Sequence, residues 1–108
     1  MEISNAKPYK PDRDSYQKEF NESVELFQKS FEGMQKSNVE PQKEQYVKVM
    51  KESLNIMQDS ANAMLNSQLA EMKNQLAKDL NQYLDTPNQE NKLKVQQDLD
   101  HLRNSETY

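Results

Sequence analysis

His101 is the only imidazole in the chain, and no cysteine accompanies it. Asp98 lies three residues earlier, so on a helix the two side chains fall on one face. One carboxylate and one imidazole do not complete a metal site. Di-metal carboxylate bundles need glutamates from several helices and paired Glu-x-x-His elements, and this chain has no Glu-x-x-His. The lack of cysteine also removes disulfides, thiolate nucleophiles and soft metal ligands. Glu52, Asp59, Glu71 and Asp79 are spaced around a helix, not along one face of it. A single glycine, Gly33, cannot build a glycine-rich phosphate loop, and the scattered serines have no base other than His101. Asn21-Glu22-Ser23 matches the glycosylation triplet, a common match without weight on a chain expected to be non-secretory. The expectation is a non-enzymatic protein with no catalytic residues, metal, cofactor or small-molecule substrate.

The elements that carry these side chains read as helices throughout. Met50, Leu54, Met57, Ala61, Leu65, Leu69, Met72, Leu76, Leu80 and Tyr83 follow at steps of three or four, and no proline or glycine falls between Gln42 and Thr86. The pattern predicts one helix over 42–84, about 43 residues and roughly 60 Å long. Tyr16, Phe20, Val24, Phe27, Phe31 and Met34 form an aromatic stripe on a preceding helix, 14–36, with Phe20, Val24, Phe27 and Phe31 as its core residues. Asp12 or Asp14 can cap that helix, Asp14 with Gln17 having the capping-box spacing. Gly33 offers a left-handed stop if the helix ends early. Ser37 or Asn38 can cap the next helix, with Pro41 in its first turn.

Asp85-Thr86-Pro87-Asn88 stops the long helix. Thr86 is the expected cap of a third helix, 87–103, with Pro87 at its first position and a stripe of Leu93, Gln96, Leu99 and Leu102 or Arg103. Residues 1–11, with Pro8 and Pro11 around Tyr9, read as an extended arm, 12–104 as one helical domain and 105–108 as a tail. Tyr9, Tyr16 and Tyr108 lie at or near these ends, where a docking role is open to them.

Two periods compete in the long helix. Met50, Ala61, Met72 and Tyr83 repeat at eleven residues, as do Leu54, Leu65 and Leu76. That period fits a nearly straight seam. A heptad reading pairs Met50, Met57 and Met64 with Ser53, Ser60 and Ser67, but Glu71 and Lys78 then occupy the methionine positions. The eleven-residue reading is therefore preferred.

The architecture that follows is all-α: a long central helix with two shorter antiparallel helices, a hairpin or bundle. Such a monomer is two helices thick, and burial would be completed by dimerisation into a four-helix layer. The apolar fraction of 33% is too small for a thick core of its own. Ser53 to Ala70 carries a single charge, Asp59, among small residues and methionines. Centred on it, Met50, Leu54, Met57, Ala61, Met64, Leu65, Leu69 and Met72 are the expected interface, against the plainer reading that they are monomer core.

Fourteen basic and eighteen acidic residues alternate along the chain for a net charge of −4, which does not mark a polyanionic partner. Nucleic acid is thus not an expected partner. Ser60 to Ala70, the longest uncharged run, is too short and polar to span a bilayer. The expected location is cytoplasmic, with export by a route lacking a cleaved signal left open. Phe31-Glu32-Gly33 beside a helix–helix turn resembles the Trp-x-Gly turn of small secreted helical hairpins. Phenylalanine stands for tryptophan here and the second helix is far longer, so no family is assigned. Two functions remain: a helical protein–protein interaction or self-assembly module, whose partner is a second copy or another helical protein, and a small secretion-associated adaptor or chaperone for a helical client.

Overall fold

Asn66, in the middle of the apolar stripe, caps a helix instead of continuing one. Its Oδ1 accepts from the Leu69 N–H at 3.0 Å. The structure, a computed structural model, describes residues 13–104. Among them the helices are α1 (Arg13–Lys36), α2 (Glu40–Ala63), α3 (Ser67–Asp85) and α4 (Gln89–Asn104). The fold is all-α as expected, but the single helix over 42–84 is replaced by α2 and α3.

The break over residues 64–66 is a Schellman turn. Asn66 N–H donates to the Ala61 carbonyl at 2.9 Å and Leu65 N–H to the Asn62 carbonyl at 3.0 Å. Leu65 holds the left-handed position, φ 54°, where glycine is the usual residue. A left-handed leucine costs about 1–2 kcal/mol. Folding α3 back onto α2 outweighs that, because Leu69, Leu76 and Leu80 become 4%, 0% and 0% exposed, each burial stabilising by roughly 1.5–3 kcal/mol. Lys73 Nζ then donates to Gln58 Oε1 at 3.0 Å, a pair that an unbroken helix would hold about 22 Å apart. Leu65 itself is 92% exposed, so it contributes little burial. Leu65→Gly is therefore expected to stabilise the chain by about 1 kcal/mol. In an unbroken helix the same change would destabilise by about as much. The sign of the shift in urea midpoint decides between them.

The connections at 37–39, 64–66 and 86–88 are short, so successive helices run antiparallel. Each helix packs on the next, and α4 returns to α1, closing an up-down-up-down ring. Tyr83, late in α3, meets Phe31, late in α1, edge to face with centroids 5.3 Å apart. Its hydroxyl donates to Gln35 Oε1 at 3.0 Å. The four-helix layer assigned to two chains is thus built within one. The α3–α4 hairpin lies where a second copy was expected.

Phe20, Val24 and Phe27 are fully buried and Phe31 nearly so, as the stripe on α1 predicts. Tyr16 packs half-buried against this core. The α1–α2 seam follows a period of seven: Ser23 and Ser30 on α1 with Ser37 just beyond its end, Ser53 and Ser60 on α2, all buried. Ser23 and Ser53 hydroxyls donate back to the Phe20 and Val49 carbonyls at 2.7 and 2.9 Å. They are satisfied within their own helices and leave room for close approach. Gly33 serves approach as well. It is not a left-handed stop; α1 continues to Lys36, and a Cβ on Gly33 would lie 2.6 Å from the Tyr46 ring.

The caps differ from the sequence reading in three places. Asp14 lies inside the first turn of α1, and Asp12 falls outside the described residues, as do Tyr9, Tyr108 and most of the terminal segments. Val39 is the N-cap of α2 without a side-chain bond, while the Ser37 hydroxyl ties the turn by donating to Gln42 Oε1 at 2.9 Å. Asn88, not Thr86, caps α4, its Oδ1 accepting from Asn91 N–H at 2.8 Å. The α4 stripe also shifts. Val95, Leu99 and Leu102 face the core, whereas Leu93 is 45% exposed and Gln96 is exposed.

Candidate functional site

The inward stripe of α4 carries Asp98 with it, three residues after Val95 and four before Leu102. On α3, Asp79 sits between Leu76 and Leu80 and is 6% exposed. The antiparallel α3–α4 register brings the two carboxyls into hydrogen-bonding contact. Gln75 Nε2 donates to Asp79 Oδ2 at 3.1 Å. No donor reaches Asp98 Oδ2, which is buried. With a proton on that carboxyl, the oxygen becomes a donor toward Asp79 and its isolation ends. Burial, together with the hydrogen bond and charge of Asp79, pushes Asp98 up to about 7. Burial pushes Asp79 up too, but the bonds from Asp98 and Gln75 and the charges of Lys94 and Lys78 outweigh it. Asp79 is held below the ordinary 3.8. Below about 7 the pair therefore holds one proton.

Sequence spacing puts Asp98 and His101 on one face of a helix. Both line a cleft of about 390 Å³ with Gln68, Glu71, Met72 and Gln75, but the hydrogen-bond partner of Asp98 is Asp79. His101 is exposed. A shared proton between carboxyls is also the device of acid-catalysing dyads. In this chain Asp98 Oδ2 is buried and Asp79 is the carboxyl that raises it, so a proton held between the two would join α3 to α4. Among the described residues no group of three or more His, Cys, Asp or Glu is placed to hold a metal ion.

The outer face of the α1–α2 pair is different in kind. Leu26 and Ile56 are 42% and 41% exposed and share a cleft of about 420 Å³ with Glu19, Glu22, Ser23 and Asp59. The Ser60 hydroxyl donates to Glu19 Oε1 at 3.4 Å, holding that carboxylate at the rim. Neither apolar residue lies on the stripes read from the sequence. Their signal was one of phase: Leu26 and Ile56 stand beside the core residues Phe27 and Met57, turned about 100° from them.

The eight expected interface residues divide. Met50, Leu54, Met57, Ala61, Met64 and Leu69 are buried among the chain's own helices, each at most 7% exposed. Met72 is half-buried, and Leu65 projects at the α2–α3 turn. A further cleft of about 490 Å³ lies where the α1–α2 and α3–α4 connections meet, lined by Met34, Gln35, Val47, Tyr83, Leu84 and Pro87 among others. Gln35 Nε2 has no bonding partner there, but it is buried and presents no donor to the cleft. Among the described residues no helix is long and apolar enough to cross a membrane. Comparison with known proteins found no matching family model, curated protein or solved structure.

Proposed function

We propose that the chain is a non-enzymatic interaction module that binds a helix of another protein on the outer face of α1 and α2. The observation that carries this reading is the adjacent exposure of Leu26 and Ile56, 42% and 41%, across one cleft. Single exposed leucines are ordinary, whereas neighbouring ones in a groove between helices form the seat used by helix-in-groove partners. An adaptor or chaperone for a helical client is the form of this function that the groove favours. Self-assembly through the α2–α3 stripe has weaker support, because the residues of that seam are already buried in the chain.

Photo-crosslinking from the face tests the proposal. A benzophenone side chain at Leu26 or Ile56, in the cells that make the protein, is expected to yield one discrete adduct with a helical segment of a partner. The same group at Leu93, exposed on α4, should not yield it. The purified partner should then lose binding to a Leu26→Ser, Ile56→Ser variant. Equal adducts from all three positions, or none from the groove, would overturn the proposal. Adducts between two copies of this chain would turn it to self-assembly.

A further inference from the structure

We infer that the helix received by the α1–α2 groove is cationic and amphipathic, its apolar stripe lying on Leu26 and Ile56 and its lysines or arginines against Glu19, Glu22 and Asp59. The inference rests on the docking role proposed above and adds the partner's charge. Three carboxylates and no basic side chain line the cleft, although the chain has fourteen lysines and arginines to place there. Glu52 stands one turn before Ile56 on the same face of α2 and extends the acidic rim. Ser23, 3% exposed, leaves the floor low enough for a backbone to approach.

Other occupants fit this rim less well. A second copy across a two-fold axis would set the carboxylates of one groove against those of the other. Nucleic acid and anionic lipid would be repelled by the same three groups. A helix with basic residues flanking an i, i+4 apolar pair meets both features together. Each helix of the pair is 24 residues long, about 36 Å, so several turns of a partner can be seated.

The test uses the full chain and two fluorescent amphipathic peptides, one of leucine and lysine, one of leucine and glutamate, followed by anisotropy. The lysine peptide is expected to bind, more weakly as salt rises, and the glutamate peptide not to bind. Glu22→Gln with Asp59→Asn should weaken it about tenfold. Leu26→Ser with Ile56→Ser should abolish binding. Glu90→Gln with Asp100→Asn on α4 removes the same charge outside the groove and should change affinity less than about twofold. All these side chains are exposed, and retained helicity by circular dichroism shows that the variants fold. Equal loss in the α4 variant would mean a general charge effect and overturn the inference, as would no binding of the lysine peptide. Binding of the glutamate peptide that is lost with the serine pair would leave the docking face standing and refute its charge preference.

Discussion

Ala61→Asp is expected to unfold the chain, with loss of most of its helical circular dichroism signal in the absence of denaturant. Ala61 is 1% exposed at the end of α2, one turn before the Schellman turn whose 2.9 Å bond its own carbonyl accepts. An aspartate there would have to bury a charge or take up a proton. The penalty is several kcal/mol, against a total stability of about 5–15 kcal/mol for a domain of this size. Leu65→Asp, four residues on and 92% exposed, is the internal control and should leave the fold intact. Light scattering on the unmodified chain should give a mass near 12.7 kDa. A dimer that Ala61→Asp converts into a folded monomer would place the seam between chains and refute the intramolecular bundle.

Raising the pH from the mildly acidic range to above neutrality is expected to destabilise the protein, and Asp98→Asn to remove most of that dependence. The sign follows from the shared proton. Asp98 titrates at about 7 in the fold and near 3.8 when exposed, so between those values the folded chain holds more protons than the unfolded one. Stability then falls as pH rises through that window, and it is lowest, for this group, above it. The pKa difference corresponds to up to about 4 kcal/mol, which solvent at the half-buried Asp98 reduces to about 2 kcal/mol. Asp79 acts oppositely. Held below 3.8, it binds fewer protons in the fold, so stability also falls on the acid side below that value. An optimum between the two is the expected profile.

The asparagine amide can donate to Asp79 as the protonated acid does, but it carries no titrating proton. At alkaline pH the variant should exceed the unmodified chain by about 2 kcal/mol, read from urea midpoints across pH. Lys78, Lys94 and Gln75 face the pair from α3 and α4, and Glu71 and His101 line the neighbouring cleft. His101→Gln separates the imidazole from the effect and should keep the slope. An unchanged slope in Asp98→Asn would show that the proton is not held by this pair.

The α1 stripe, the helical ends near Lys36 and Asp85 and the all-α class were legible because they rest on local signals. Phe20, Val24, Phe27 and Phe31 repeat at helical spacing, and Pro41 and Pro87 cannot lie inside a helix beyond its first turn. The turn at 64–66 has no such mark. Its left-handed position is filled by leucine, and the apolar phase runs through it. One trace was present: the heptad of Met50, Met57 and Met64 fails beyond Ser67, the first residue of α3. That failure marks the end of a helix, not the absence of the period.

The choice between one long helix and two packed ones is not local. The strain at Leu65 is about 1–2 kcal/mol, smaller than the burial gained when Leu69, Leu76 and Leu80 turn back onto α2. Only the folded chain can balance those terms. The contact of Asp79 with Asp98 and the shared cleft of Leu26 and Ile56 likewise exist only once antiparallel helices fix their register. Sequence spacing orders side chains along one helix, and it is the packing between helices that decides which carboxylate meets which and which leucine stays outside.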